Sequence, residues 1–337
     1  MTTEPNSAES SLIDGFGRTI RYLRVSVTDR CDLRCRYCMA ENMTFLPRSQ
    51  IASLDELAII TERFIARGVD KVRLSGGEPL VRRDVIDLVQ RLGRHVGSGL
   101  KELTMTTNGT RLAGYAGLLA GAGMRRINVS MDTRDPDKFR FITRHGDVAQ
   151  VLNGIKAATE TGLRVKINMV ALKDFNEHEI GDMLAWCVGE GHDLTLIETM
   201  PLGDVEEDRT DRFMPLTVVK EMIEARFALS RDLNGTGGPA RYWRVDGSDT
   251  RLGLISPLTA NFCDGCNRVR LTTEGKLYTC LGHDDQRDLR AALREGGTAG
   301  LDAAIESALV TKPRRHDFRI ERDGAPAIAR HMSVTGG

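Results

Sequence analysis

Between Tyr22 and Met200 the chain alternates two hydrophobic rhythms. Short apolar-rich runs at residues 23–27, 72–74, 103–106, 127–130, 165–170 and 194–198 read as strands. Between them lie longer stretches, 53–67, 84–93, 112–121, 150–161 and 177–189, whose apolar residues recur at three- and four-residue spacing and predict helices. Ser53 followed three residues later by Glu56 has the pattern of a capping box. Gly68, Gly123 and Gly162 stand where helices would end. Six strand–helix repeats predict a parallel sheet with right-handed crossovers. That number falls short of an eight-fold barrel, so the expected fold is α/β, a partial, open TIM-like βα barrel. In such folds function gathers at the C-terminal ends of the strands.

After Met200 the rhythm stops. Residues 203–211 form an acidic loop, and 234–239 a Gly-rich turn. Short strands are expected at 241–245, 252–255 and 268–272, with a helix near 289–295 and then a tail. The expected division is a polar N-terminus over 1–13, the partial barrel over 14–202 and a C-terminal region over 203–337.

Cysteine spacing adds chemistry to this pattern. Cys31, Cys35 and Cys38 form a C-x3-C-x2-C triad directly after the first strand. Three close thiolates point to one metal centre, an iron–sulfur cluster or zinc. A closed zinc site wants four protein ligands, and no fourth Cys or His follows nearby. A cubane cluster held by three cysteines would keep one iron open to a substrate. A second triad, Cys263, Cys266 and Cys280, sits near the other end. Its C-x2-C could equally be a redox pair, or half of a zinc site completed by His283. Cys187, in an apolar run, reads as a core residue.

Several residues fall at the expected strand ends beside the first triad: the Gly76-Gly77-Glu78-Pro79 loop, Thr107-Asn108-Gly109, Ser130, Asp132 and Met200. With 47 basic and 47 acidic residues among 337, the chain has no overall field to recruit nucleic acid or an anionic membrane. Phosphate binding would need a local cluster of cations. No apolar run is long enough to span a bilayer, and the polar N-terminus is unlike a signal peptide, so the cytoplasm is the expected compartment.

Together, the first triad, the Gly-Gly-Glu-Pro loop and the partial barrel resemble the radical SAM superfamily. The likeness is closer to one member family, the GTP 3′,8-cyclases of molybdenum cofactor biosynthesis. It rests on residues 14–18, 23–31, 74–80, 106–109, 125–132 and 262–271 and on the terminal Gly336-Gly337, and spans about residues 14–337. The resemblance implies two [4Fe–4S] clusters, on Cys31, Cys35 and Cys38 and on Cys263, Cys266 and Cys280. It implies S-adenosylmethionine contacts at Tyr37, Gly77, Ser130 and Met200, with GTP at Arg24, Lys71, Arg73, Thr106, Lys166, Arg268 and Arg270. Reductive cleavage of S-adenosylmethionine would give a 5′-deoxyadenosyl radical that takes the ribose 3′ hydrogen of GTP, and the resulting ribose radical would attack C8 of guanine. The second cluster would hold the base, and Gly336 and Gly337 would reach into the barrel. Partners so implied are GTP, an external electron donor, a downstream cyclic pyranopterin monophosphate synthase and a second copy of the chain. Two positions depart from the family pattern: Gly282 stands where Phe is common, and Thr335 where an apolar residue often precedes the glycines. Rival readings are a peptide-modifying radical SAM enzyme and a zinc-binding interaction module.

Overall fold

The computed structural model describes residues 11–203, 205, 208–233, 237–322 and 326–336. Six strands carry the N-terminal half: β1 (Tyr22–Ser26), β2 (Lys71–Ser75), β3 (Glu102–Thr107), β4 (Arg126–Ser130), β5 (Arg164–Val170) and β6 (Asp193–Ile197). They pair in sequence order and in parallel. Six more follow: β7 (Leu229–Asp232), β8 (Arg241–Val245), β9 (Arg251–Ile255), β10 (Arg268–Leu271), β11 (Lys276–Tyr278) and β12 (Gln286–Asp288). The sheet has the order β12-β11-β10-β1-β2-β3-β4-β5-β6-β9-β8-β7. β10 joins β1 in parallel and β9 joins β6 in parallel. Antiparallel hairpins then finish both edges. With β12 and β7 at opposite ends, the twelve-stranded sheet is an open half-barrel.

Alternation along the strands separates two faces. Leu23, Val25, Val72, Leu74, Ile127, Val129 and Ile167 are fully buried in one continuous apolar core. The helices α1 (Leu54–Ala66), α2 (Val85–Gly93), α3 (Leu112–Gly121), α4 (Pro136–Thr143), α5 (Val148–Glu160) and α6 (Ile180–Glu190) link the first six strands. Ser53 and Glu56 form the expected capping box on α1. Cys187 is buried in the core from α6. Residues at the alternate positions, Tyr22, Arg24 and Ser26 on β1, and Lys71, Arg73 and Ser75 on β2, share the opposite, concave face.

Sequence periodicity missed some elements. α4 was not expected; Asp135 starts it by accepting from the backbone amides of Asp137 and Lys138. α7 (Arg209–Arg212) and α8 (Leu216–Glu224) were read as loop or left unassigned. α9 runs from Leu289 to Val310 rather than stopping at 295, because helix resumes after a break at Gly297 (φ 57°). Its second half is tied to α1 through Arg63, which donates to both Asp302 oxygens at 2.5 and 2.6 Å. α10 (Met332–Thr335) is a single turn in the tail.

The Gly-Gly-Glu-Pro loop is laid directly against the cysteine loop. The Gly77 amide donates to the Thr28 carbonyl and that of Glu78 to the Arg30 carbonyl, both at 2.8 Å. A Cβ on Gly77 would lie 2.3 Å from the Arg30 carbonyl oxygen, so no side chain fits. By contrast, a Cβ on Gly117, in the middle of α3, would meet nothing within 4 Å. Gly77→Ala should therefore cost about 1–3 kcal/mol, as overpacking against backbone does. Gly117→Ala should be neutral or stabilising by roughly 0.5–1 kcal/mol. Thermal denaturation of the two variants side by side checks this; equal Tm shifts would contradict the contact.

Candidate functional site

The first triad sits in the loop leaving β1. Cys38 and Met39 donate backbone bonds to the Cys35 carbonyl at 2.9 and 3.0 Å. Arg34 and Arg36 bond through their amides to the carbonyls of Thr143 and Ile142 at the end of α4. Asp32 is fixed by the Asn108 side chain at 2.7 Å and the Thr110 hydroxyl at 2.8 Å. Burial pushes the Cys31 thiol up to about 12, with Glu78, Asp32 and Cys38 adding to it. Cys38 is pushed up to about 11 by burial and by Asp132. Thiolates could persist here only beside added positive charge, which a metal centre supplies.

Tyr37 donates to Asp132 Oδ2 at 2.7 Å, and Asp132 Oδ1 accepts from the Val170 amide at 2.8 Å. Burial raises the Asp132 carboxyl to about 6. A cavity of about 380 Å³ opens beside them, lined by Tyr37, Cys38, Val170, Ile197, Glu198, Thr199, Met200, Leu202 and Met332. Of the residues predicted for S-adenosylmethionine, Tyr37 and Met200 line it. Gly77 lies in the loop packed on Arg30, and Ser130 ends β4 opposite Asn168 of β5. Glu78 is fully buried, and its carboxylate accepts from the Leu80 amide, the Thr107 hydroxyl and the Asn108 amide at 2.6–3.0 Å. It clamps the glycine loop to the end of β3.

A larger open cavity, about 1080 Å³, fills the concave face of the sheet. Its wall includes Cys263, Cys266 and Cys280 together with Arg24, Arg73, Lys166, Arg268 and Arg270. Strand register explains the convergence. Arg270, Arg24 and Arg73 are direct neighbours across β10, β1 and β2, and one level below them lie Arg268, Tyr22 and Lys71. Lys166 reaches the cavity from β5, opposite Asn128 of β4, and its ammonium bonds the Tyr242 hydroxyl. Among the described residues, none of the five cavity cations pairs with a carboxylate. Burial and the neighbouring Arg270 hold Arg24 well below its usual range, and burial and Arg268 bring Arg270 down to about 10. Lys71, by contrast, is paired with Glu102 at 2.7 Å. Thr106 lies on β3 with its hydroxyl unpaired, outside the cavity lining.

Among the described residues, six buried polar atoms without a protein partner line this cavity: Tyr22 OH, Arg24 Nε, Arg73 Nε, Asn128 Oδ1, Thr195 Oγ1 and His316 Nε2. Buried polar groups are normally paired, so these atoms mark room for a polar ligand. Sequence reasoning missed Tyr22, although its two-residue spacing from Arg24 places both on one face of β1. Burial raises its phenol, but Arg73, Arg24, Lys71 and Arg268 outweigh that and bring it down to about 8.

The tail joins the two regions. Arg330 bonds Asp284 at 2.5 Å and the Leu281 and His283 carbonyls, and stacks on the Tyr278 ring. His331 Nδ1 lies 3.3 Å from the Cys38 carbonyl. Arg270 donates to the Gly336 carbonyl at 2.7 Å. Gly336 has φ 74°, and a Cβ there would sit 2.0 Å from Ser75 Oγ, so only glycine fits. Ser26 and Ser75 pair at the level above the arginine row and leave room for the chain to pass. Gly337 lies outside the described residues.

His283, the alternative fourth ligand of a zinc site, points to the Arg315 carbonyl at 3.0 Å. Among the described residues no three His, Cys, Asp or Glu side chains converge on a single ion. A cubane cluster held by three cysteines would give each thiolate its own iron. The departure at Gly282 has a local cause: a Cβ there would meet His316 and Phe318, whose rings, tilted at 33° with centroids 4.3 Å apart, fill that space.

Comparison with known proteins agrees with this geometry. Residues 25–187 match the Radical SAM superfamily and residues 192–318 the Molybdenum Cofactor Synthesis C family. A protein of Erythrobacter litoralis named GTP 3′,8-cyclase is 58% identical over 331 residues, covering 98% of this chain and all of that one. One of the same name from Rhizobium etli is 57% identical and covers 97% of this chain and 94% of its own. Among solved structures, Streptococcus suis SuiB bound to S-adenosylmethionine superposes with a TM-score of 0.63 at 15% identity, covering 94% of this chain and 77% of that one. At that identity the likeness speaks for the fold. The half-barrel, the cysteine loop and the near-full-length identity converge: the chain belongs to the GTP 3′,8-cyclase family of the radical SAM superfamily.

Proposed function

We propose that this chain converts GTP to (8S)-3′,8-cyclo-7,8-dihydroguanosine 5′-triphosphate, the first step of molybdenum cofactor biosynthesis. One observation carries the reading: among the described residues, five cations without carboxylate partners line one cavity together with a cysteine triad. That arrangement suits a nucleoside triphosphate with its phosphates on the arginine row and its base toward the triad. Cys31, Cys35 and Cys38 would hold one [4Fe–4S] cluster, and Cys263, Cys266 and Cys280 a second. The first cluster with S-adenosylmethionine, when bound, supplies the one-electron chemistry that removes a ribose hydrogen.

The protein's part is placement and exclusion of water. Arg24, Arg73 and Arg270, held in register, present guanidinium forks suited to phosphate oxygens. Arg268 and Lys166 would close on the nucleotide from either side, with Lys71 and Thr106 at the sheet's rim. Tyr37 and Met200, with Gly77 and Ser130, would surround S-adenosylmethionine. Gly336 and Gly337 would form the wall between the two ligands, where Arg270 already holds the Gly336 carbonyl. In this reading residues 14–202 serve S-adenosylmethionine and 203–337 the base of GTP. An external electron donor, delivery to a cyclic pyranopterin monophosphate synthase, a cytoplasmic setting and a homodimer complete it. Among the described residues no helix is long and apolar enough to cross a membrane.

The two triads should separate in function. Cys31→Ser should abolish reductive cleavage of S-adenosylmethionine, whereas Cys263→Ala should stop cyclisation of GTP while uncoupled cleavage stays measurable. Anaerobic assays of both products check this. Full cyclisation in both variants would overturn the assignment.

Tyr22 sets a pH dependence. Free protein ionises this phenol near 8 because four cations face it. A bound triphosphate would neutralise those cations and return the phenol toward its ordinary value near 10. The bound state then holds the proton that the free state has lost, so GTP affinity should fall as pH rises through about 8. Tyr22→Phe should flatten that part of the profile. Equilibrium binding between about pH 7 and about pH 9 reads it; an identical fall in the variant would place the effect elsewhere.

A further inference from the structure

Lys312 follows the C-terminus of α9 and is 2% exposed, one of the largest fully buried side chains of the protein. Its ammonium donates to the Thr279 carbonyl at 2.5 Å, the Arg268 carbonyl at 3.1 Å and Cys266 Sγ at 3.5 Å. A lysine ammonium has three donors and no acceptor, so three acceptors match its charged form. Among the described residues it forms no ion pair with a carboxylate. A buried charge needs a counter-charge, and among the described residues the Cys266 sulfur is the contacting group able to carry one. The two carbonyls belong to residues flanking the second triad, Arg268 two residues after Cys266 and Thr279 directly before Cys280. One side chain therefore spans both cysteine segments.

The surroundings of the two triads differ in sign. Nearest the first sulfurs are carboxylates: Asp32 lies 3.9 Å from Cys31 Sγ, Glu78 bears on Cys31 and Asp132 on Cys38, while the Arg34 guanidinium meets the Cys31 carbonyl at 2.7 Å and Arg111 lies 3.4 Å from Asp32. Around the second are cations. Arg18 donates to the Cys263 carbonyl at 2.8 Å, and Arg268 lies 3.9 Å from Cys266 Sγ. Arg18 has its own partner in Asp14 at 2.6 Å.

We propose that Lys312 is the built-in counter-ion of the second cluster, a positioning residue whose charge and N–H···S bond set that cluster's reduction potential above that of the first. The proposal rests on the two-cluster reading given above. Positive charge and hydrogen bonds at cluster sulfurs favour the reduced, more negative state, and so raise the potential. Acidic surroundings at the first triad work in the opposite direction.

The test is an anaerobic potentiometric titration of the full-length, reconstituted protein, followed by electron paramagnetic resonance. The signal lost in Cys263→Ala identifies the second cluster. Lys312→Gln, which keeps a donor but removes the charge, should move that cluster's midpoint to more negative potential and leave the first cluster's unchanged. Lys312→Arg should stay near the wild-type value. An unshifted second midpoint in Lys312→Gln, or equal shifts in both clusters, overturns the proposal. If Lys312→Gln fails to load the second cluster, loading retained in Lys312→Arg supports the charge requirement, and loss in both variants overturns it. A wild-type protein with no signal sensitive to Cys263→Ala overturns the two-cluster reading and this proposal together. Two clusters with Lys312→Gln unshifted overturn this proposal alone.

Discussion

Everything in the large cavity depends on one unfavourable arrangement: arginines 270, 24 and 73 side by side on adjacent parallel strands, none of them paired with a carboxylate among the described residues. Like charges directly opposite each other destabilise a sheet. At strand spacing of about 5 Å and an effective dielectric near 20, two unit charges repel by about 3 kcal/mol. The apolar face of the same strands supplies the opposing force, because Leu23, Val25, Val72 and Leu74 are fully buried beneath the helices. The sheet can therefore carry a concentrated positive charge that a loop could not. A polyanion would relieve that repulsion, so under the proposed function part of the binding energy for phosphate would be stored in the folded protein.

The remainder of the site follows from what this row leaves free. One level toward the strand ends the side chains shrink to Ser26 and Ser75, and the tail passes there. Gly336 fits against Ser75 because it has no Cβ, and its carbonyl accepts from Arg270. Above the tail, the cysteine loop is held by the glycine loop, whose Gly76 and Gly77 press on the backbone of Thr28 and Arg30. Ile197 and Met200 line both the cavity beside the first triad and the cationic cavity beside the second, and between the first triad and the arginine row runs the tail. Arg330 fixes one end of it to the loop after Cys280, and His331 approaches Cys38.

Much of this was legible in the sequence, for physical reasons. The six strands of the first half alternate with amphipathic helices, so period and capping disclosed them; the cysteine spacing disclosed both triads. Less visible was the way β9 and β10 extend the parallel sheet at both edges, since pairing between strands so distant in sequence leaves no local periodic signal. The far half of α9 was hidden by Gly296-Gly297, which reads as a stop although helix resumes. Tyr22 and Lys312 were missed for different reasons. Tyr22 looks like an ordinary strand aromatic until register places it among four cations. Lys312 looks like a surface lysine after a helix, and only burial and its three acceptors mark it.

The central claim is that the arginine row trades stability for triphosphate binding. Arg24, the middle member, tests it most directly. The thermal midpoint of Arg24→Met and of wild-type protein should be measured alone, with GTP and with guanosine. The account predicts that the variant melts higher than wild type in the absence of nucleotide and loses most of the stabilisation by GTP, while any response to guanosine is kept. A variant that melts lower than wild type and is still stabilised by GTP to the wild-type extent would contradict it.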